Sequence, residues 1–409
     1  MSSKLSTYLK GQHSTLDKKH SALLEQNHGA VWIHAASVGE FEQARPIIER
    51  LKANGERRKV VVTFFSPSGY EARKGYELAD GVFYLPFATR RNAKRFIEAL
   101  QPSMAIFVKY EFWPAYLREL KKRGVPTYSI CAIFRPEQRF FHWWGLGAKR
   151  VLKCFTHIFV QDGASRRLLA DHGIHQASVA GDTRFDRMAE VREHSAISHQ
   201  LSEQLTPIAH FTEGCERVIV AGSTWPKDEV VLEQYMNTDR FTDGILTQTK
   251  LILVPHELNE EHLHFIFNLF KGRFVTYSAV NAMTDVVSRR NILLNAQVLL
   301  VDTMGLLSST YPFGQVAYIG GGFGVGIHNT IEAAVYGKPV IFGPNYEHFR
   351  EARGLIEAGA ARSIKKYSEL EAALETAFNN HVEIGAKATE YVQSELGATE
   401  KIYKQIFKL

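Results

Sequence analysis

Short apolar runs alternate with segments of helical period along almost the whole chain, and this alternation constrains the fold more than any other feature. From about residue 30 the order runs AVWIHAA, a helical stretch from Glu40 to Asn54, VVVTFF, a second from Pro67 to Leu78, MAIFVKY, and a third from Trp113 to Arg123. Continuous Val/Ile-rich runs suit strands buried on both faces, and joining two such strands in parallel takes a crossover helix. The pattern predicts an α/β fold in which helices cover both faces of a mostly parallel sheet. It continues through VPTYSICAIF, THIFVQ and ASVAG. It lapses over residues 187–216, which are polar, His-rich and punctuated by Pro207 and Gly214. It then restarts as RVIVAGS, KLILVPHE, RFVTYS, QVLLVD, QVAYIGGG and KPVIFGP, with helical segments such as Asn259 to Phe270 and Glu332 to Gly337 between them.

A chain of 409 residues is too long for one small fold, at roughly 150 residues per domain. The expected organisation is a polar N-terminal segment over 1–29, a Rossmann-like α/β/α domain over 30–190, a linker over 191–215, and a second Rossmann-like domain over 216–409 that carries the C-terminal helices. Two open α/β halves are expected to turn their strand C-termini toward a central cleft, where such sheets bind ligands. Lys and Arg exceed Asp and Glu by 49 − 43 = 6, which favours an anionic partner without choosing among phosphates, nucleic acid and an acidic membrane surface. Cys131, Cys154 and Cys215 are widely spaced with no Cys-x-x-Cys pair. Neither a disulfide framework nor a zinc–cysteine site is expected, and a reducing cytoplasm fits. With no apolar run of signal-peptide or membrane-anchor length, the chain is expected to be soluble or peripherally bound.

Glycines cluster at 320–322, 324 and 326, after QVAYI and before His328-Asn329-Thr330. Such a loop lets a backbone approach an anion and offers N–H groups at a helix start, which makes Gly324 and Gly326 candidate ligand contacts; a tight structural turn accounts for the same spacing. No G-x-G-x-x-G fingerprint and no P-loop ending can be laid on it. Glu332, one turn into the following helix, could accept from ribose hydroxyls, pointing to a nucleotide with few phosphates. Ser37-Val38-Gly39-Glu40 opens the first helix. It reads as a capping box, with Ser37 capping and Glu40 reaching back, and equally as a site in which Glu40 is a general base and Gly39 leaves room for a bulky acceptor.

His256 closes KLILVPHE, and His262 lies six residues on, not the four of an H-E-x-x-H helix. His256 therefore reads as a hydrogen-bond donor or a buried structural histidine, and no metal is expected. Arg184, in GDTRFD, has the reach of a phosphate ligand or of a local ion pair. Ser223 and Thr224, in GSTW, suit phosphate docking or helix capping. Residues 134–144 set Phe134, Phe140, Phe141, Trp143 and Trp144 among basic residues. That composition suits a lipid headgroup interface, a single-stranded nucleic acid, or a helix packed into its own core; no RNA-binding motif or Arg/Lys run supports nucleic acid further.

Taken in order, HAASVGE, TFFSPSGYE, Glu111-Phe112-Trp113-Pro114, GDTRFD, GSTW, PHE, Asp302-Thr303-Met304-Gly305, GGFGVGIHNTIEAA and GPNYEHF resemble the 3-deoxy-D-manno-octulosonic acid (Kdo) transferases of lipopolysaccharide synthesis. The likeness runs from residue 30 to about 360. It implies the GT-B architecture of two Rossmann-like domains, and transfer of Kdo from CMP-β-Kdo to a hydroxyl of a lipid A precursor with inversion at the anomeric carbon. It implies Glu40 as the general base and Arg184 beside the donor phosphate. Ser223, Thr224, His256, Met304, Gly305, Gly324, Gly326, His328, Asn329 and Glu332 match the CMP-Kdo site, and Ser37, Gly39 and Glu111 the acceptor side. CMP-Kdo is a donor substrate, and no metal cofactor is implied. A lipid-linked acceptor implies work at the cytoplasmic face of the inner membrane, with Phe140, Phe141, Trp143 and Trp144 as membrane contacts and no nucleic acid partner. Three features depart from the pattern: Leu306 stands where many relatives carry Glu, Ile133-Phe134-Arg135-Pro136-Glu137 stands where many carry an Arg-Leu-Ser-Glu-Arg-like segment on the acceptor side, and the polar start has no hydrophobic anchor. The competing readings are a transferase or epimerase using a UDP-sugar, and a catalytically inert binding protein.

Overall fold

Each Val/Ile-rich run becomes a strand of one of two parallel sheets. The structure, a computed structural model, describes residues 15–407 except 54, 56, 143–144, 196–198, 238–240, 243–244 and 247–248. The chain forms two compact units, Met1–Arg187 with Glu395–Leu409, and Met188–Ser394. In the first, β1 (Val31–Ala35), β2 (Val60–Phe64), β3 (Gly81–Tyr84), β4 (Met104–Val108), β5 (Thr127–Ala132), β6 (His157–Val160) and β7 (Ala177–Val179) lie in the order β3-β2-β1-β4-β5-β6-β7. Every pairing is parallel.

All five residues of β1 are buried, because both faces of the sheet are covered. Trp32 faces a core with Phe96, Phe107 and Tyr116, while Val31, Ile33 and Ala35 face one that includes Phe41, Ala44, Ile47, Ile48 and Leu51. Those five side chains, three and four residues apart, form the apolar stripe of the helix Val38–Ala53, and each large one buried contributes about 1.5–3 kcal/mol. Strand order reverses on either side of β1 and β4, so the β1/β4 edge is the switch point where α/β sheets open a ligand crevice.

The second unit repeats the plan with β8 (Arg217–Thr224), the short hairpin β9 (Phe241–Thr242) and β10 (Ile245–Leu246), β11 (Thr249–Pro255), β12 (Phe274–Thr276), β13 (Val298–Leu300), β14 (Val316–Ile319), β15 (Val340–Phe342) and β16 (Ala361–Ser363). Its seven-stranded sheet runs β12-β13-β11-β8-β14-β15-β16, with its switch point at β8/β14.

Three features differ from the sequence expectation. Residues 191–215, expected as a linker, are mostly helical, in Thr183–Ser195 and His199–Thr212; Ile208 and Phe211 are buried, an apolar side that the polar average conceals. The edge strands β3 and β16 have no counterpart in the run pattern, because an edge strand such as Ala361–Ser363 stays partly exposed and needs no continuous apolar run. Finally, the helix Ala398–Phe407 joins the first unit, not the second. Ile402, Tyr403, Ile406 and Phe407 complete the core beside β1 and β2, Arg50 pairs with Glu400 at 2.7 Å, and the Asp186 carboxylate accepts from the N–H groups of Gly397 and Thr399, each at 2.6 Å.

Candidate active site

At the first switch point the backbone turns from β1 directly into the helix Val38–Ala53. Glu40 N donates to Ser37 Oγ over a long 3.4 Å, and Glu40 Oε2 accepts from Ala36 N at 2.6 Å. The capping arrangement is therefore present but displaced, its return bond going to Ala36 instead of Ser37. Burial, reinforced by the nearby Glu111 carboxylate, pushes the Glu40 carboxyl up to about 7, against the opposing pull of the Ala36 N–H and of Lys109. A carboxyl titrating near neutrality is what a general base working at physiological pH requires. Gly39 is exposed, and a Cβ there would meet no protein atom within 4 Å.

Glu111 lies buried just beyond β4, with Oε2 accepting from Trp113 Nε1 at 2.5 Å and lying 2.9 Å from His34 Nε2. Sequence reasoning had no role for His34, Trp113 or Lys109. The available signal was His34 itself, an ionisable ring at an inward position of a strand buried on both faces, which must find polar partners there. Arg184 makes a local ion pair, Nε and Nη2 donating to Asp182 Oδ2 at 2.9 and 2.7 Å, which fixes the orientation of its guanidinium. Burial acts to raise the Asp182 carboxyl, and the charge and hydrogen bonds of Arg184 overcome it, holding it at about 2.

At the second switch point, a Cβ on Gly320 would stand 2.2 Å from Ser223 O and 2.6 Å from Thr224 Cα, so glycine is what lets β8 and the loop after β14 approach. Six N–H groups of that loop are spent within the protein: Gly320 N on Gly222 O, Gly324 N and Gly326 N on Gly321 O, Ile327 N on Asn345 O, His328 N on Gly320 O, and Gly321 N on Asp228 Oδ2. The anion cradle expected of the glycines is thereby reduced, and the helix after it, Ile331–Ala334, is a single turn.

The loop's main effect is placement. His328 stacks on His256 with ring centroids 4.2 Å apart, and His256 on Trp225 at 5.0 Å, while Trp225 Nε1 donates to His328 Nε2 at 3.1 Å. Burial, with His256 nearby, pushes His328 down to about 4, and burial also lowers His256; the stack is uncharged at neutral pH. Glu332 accepts from Ser308 Oγ at 2.8 Å and Asn329 Nδ2 at 3.0 Å. Met304, 81% exposed, and Gly305 follow β13. Ser223 is half-buried at the end of β8, but Thr224 Oγ1 donates inward to Glu229 Oε1 at 2.8 Å, so its hydroxyl is already engaged.

A residue the sequence reading passed over holds these parts together. The buried Asp228 accepts from Tyr318 Oη and Gly321 N, both at 2.8 Å, and from Trp225 N at 3.0 Å. Among the described residues no three His, Cys, Asp or Glu side chains converge as a metal site, and no helix is long and apolar enough to cross a membrane.

The expected membrane contact at Phe140 is corrected by its burial in the first unit's core, where Phe112, Phe141 and Phe134 surround it at 5.2, 6.3 and 6.4 Å. Phe141 packs partly against His172 at 4.8 Å, and Trp143 and Trp144 lie outside the described residues. Phe140→Ala should lower the unfolding free energy by about 3–5 kcal/mol in a denaturant melt. Lost liposome binding at unchanged stability would instead return Phe140 to a membrane surface.

Residues 10–187, nearly all of the first unit's sheet domain, match the family model described as 3-deoxy-D-manno-octulosonic-acid transferase (kdotransferase). The 3-deoxy-D-manno-octulosonic acid transferase of Rickettsia prowazekii is 27% identical over 389 residues, covering 93% of this chain and 78% of its own. The enzyme of the same name from Aquifex aeolicus is 26% identical, covering 85% of each chain. In fold, the chain is similar to UDP-GlcNAc 2-epimerase from Neisseria meningitidis, with a TM-score of 0.64, 15% identity, and coverage of 93% of this chain and 100% of that one; two such seven-stranded parallel units are a GT-B-like architecture. The family match over the first unit and the relatives that span both units agree with each other: along most of its length the chain is similar to the 3-deoxy-D-manno-octulosonic acid transferases.

Proposed function

We propose that this enzyme transfers Kdo from CMP-β-Kdo to a hydroxyl of a lipid A precursor, with inversion at the anomeric carbon and Glu40 as the base. The observation that carries the reading is the Glu40 carboxyl at about 7, at the switch point of the first sheet. In this mechanism Glu40 takes the proton of the acceptor hydroxyl as its oxygen bonds to the anomeric carbon. The bond from that carbon to the phosphate oxygen breaks, and CMP leaves with the electron pair. Protein groups, not a metal, neutralise the leaving phosphate, with Arg184, oriented by Asp182, assigned to it. In the second unit the uncharged Trp225–His256–His328 stack offers ring faces and a donor N–H, and the Asn329–Glu332 pair offers acceptors for sugar hydroxyls. Ser223, Met304, Gly305, Gly324, Gly326 and the backbone of Thr224 complete the donor contacts. Ser37, Gly39 and Glu111 stand on the acceptor side. A lipid acceptor puts the work at the cytoplasmic face of the inner membrane, by peripheral association.

The test generates CMP-Kdo in situ from Kdo, CTP and a Kdo-activating synthetase, offers a tetraacylated lipid A precursor, and weighs the lipid. A mass gain of one or more Kdo units, with thermal protection of the protein by CMP and not by UDP, is the expected result. Protection by UDP alone would overturn the donor assignment in favour of a UDP-sugar enzyme.

A further inference from the structure

β8 and β11 end side by side, and at their ends one residue falls out of register. Val254 pairs with Gly222 and Pro255 with Thr224, so Ser223 is left over as a bulge, with a backbone φ of 53°. A non-glycine residue is costly to hold in the left-handed region, and bulges beside a site re-aim a side chain. Trp225 and His256, which follow the two strands, are two of the three stacked rings, and His256 N donates to Thr224 O at 3.0 Å.

A buried pair grips both strand ends. Glu229, on the helix Pro226–Asn237, is fully buried and accepts from Thr224 Oγ1 at 2.8 Å. Its Oε1 and Oε2 lie 2.9 and 3.0 Å from Nε2 of His262, itself buried on the helix Glu260–Leu269. The other ring nitrogen, Nδ1, lies 3.0 Å from Glu257 O. A backbone carbonyl only accepts, so Nδ1 carries a proton. A second proton lies between Nε2 and Glu229, and an imidazole is a stronger base than a carboxylate. His262 is therefore an imidazolium that donates at both nitrogens, and Glu229 a carboxylate that accepts from two side chains. The bond with Glu229 outweighs burial and holds the titration of His262 above the ordinary imidazole range.

We propose that His262 and Glu229 are positioning residues for the donor nucleotide, their ion pair holding Thr224 and Glu257 on either side of the Ser223 bulge so that Ser223, Trp225 and His256 meet the ligand in one arrangement. This rests on the CMP-Kdo reading of the second unit. When His262 loses a proton, one ring N–H remains for two acceptors, and either Glu257 O or Glu229 is released. The titratable groups facing His262 are Glu229 on the neighbouring helix, and Glu257 and His256 after β11. On its own helix Glu260 and Glu261 are exposed, and His264 meets Asn268 at 2.8 Å.

The experiment is an NMR titration of the full chain carrying 15N-histidine, with the His262 ring assigned from through-space contacts with Thr224. It is run beside the dissociation constant of CMP, measured by calorimetry at the same pH values. Above pH 7 burial has already left His256 and His328 neutral, and a phosphate monoester has lost its second proton, at about pH 6, so neither competes with His262. Both ring nitrogens of His262 should be protonated at pH 7, and CMP affinity should fall about tenfold across the His262 midpoint, the worth of one hydrogen bond to a charged group. Glu229→Gln should leave His262 neutral at pH 7 and weaken CMP there by a similar factor. A neutral His262 in the parent at pH 7, or an affinity that stays level across its midpoint, would overturn the proposal while leaving CMP as the donor nucleotide. No CMP binding at any pH would overturn the donor reading, and the proposal with it. The two parental curves decide the matter by themselves if Glu229→Gln does not fold.

Discussion

Glu40→Gln should cut the rate of Kdo transfer by about 10²–10⁴-fold, the range general-base catalysis supplies, without reducing the protection that CMP gives against unfolding. Gln is the informative replacement because its side-chain oxygen still accepts from Ala36 N, whereas Ala also removes that bond, worth about 1 kcal/mol at a helix start. The sign of the pH effects follows from the raised carboxyl. Activity needs the deprotonated form and should rise with pH through about 7. Stability runs the other way: the folded state binds this proton more tightly than the unfolded chain does. The contribution is therefore fully present below the ordinary glutamate value of 4.5 and lost as pH rises through about 7. Glu40→Gln should thus unfold at a denaturant concentration no lower than the parent's at pH values above that, a pairing of lost turnover with kept or gained stability that is expected of a functional and not a structural carboxylate. A variant that transfers Kdo at the parental rate would exclude Glu40 as the base.

The second large effect is expected at Asp228. Its carboxylate receives the Tyr318 hydroxyl and the backbone N–H groups of Gly321 and Trp225, so Asp228→Ala strands three donors at a site 1% exposed. Unmet buried polar groups of this kind should cost about 3–5 kcal/mol of stability in total. The loss should be specific in function as well, because Trp225 and the glycine loop bring the ring stack together, and thermal protection by CMP should disappear even at temperatures where the variant stays folded. Asp228→Asn keeps an acceptor oxygen and should lose less of both. Full protection by CMP in a folded Asp228→Ala protein would show that the ring stack does not depend on this carboxylate.

Strands buried on both faces were legible because their composition is nearly unmixed: VVVTFF and KLILVP leave little alternative. Ser37 and Glu40 were legible because a cap is a local motif, read over four residues. What escaped depends on partners far apart in sequence. His34 and Glu111 are 77 residues apart, and Asp228 and Gly321 are 93 apart, distances over which periodicity carries no information. Arg184 was visible as a cation, but its pairing with Asp182, two residues away, depended on a rotamer. At Phe140 the composition was right and the direction was not, since aromatic content does not say which face of a short 3₁₀ turn looks inward.

The return of Ala398–Phe407 to the first unit bears on how the chain is made. Translation delivers β1 to β7 first, but the apolar surface beside β1 and β2 waits for Ile402, Tyr403, Ile406 and Phe407, which emerge only after all of residues 188–394. The other unit, contiguous in sequence, can close its own core in the meantime. During synthesis the earlier-made unit therefore carries an uncovered apolar face, the kind of surface that recruits chaperones, and it is the later-made unit that finishes first.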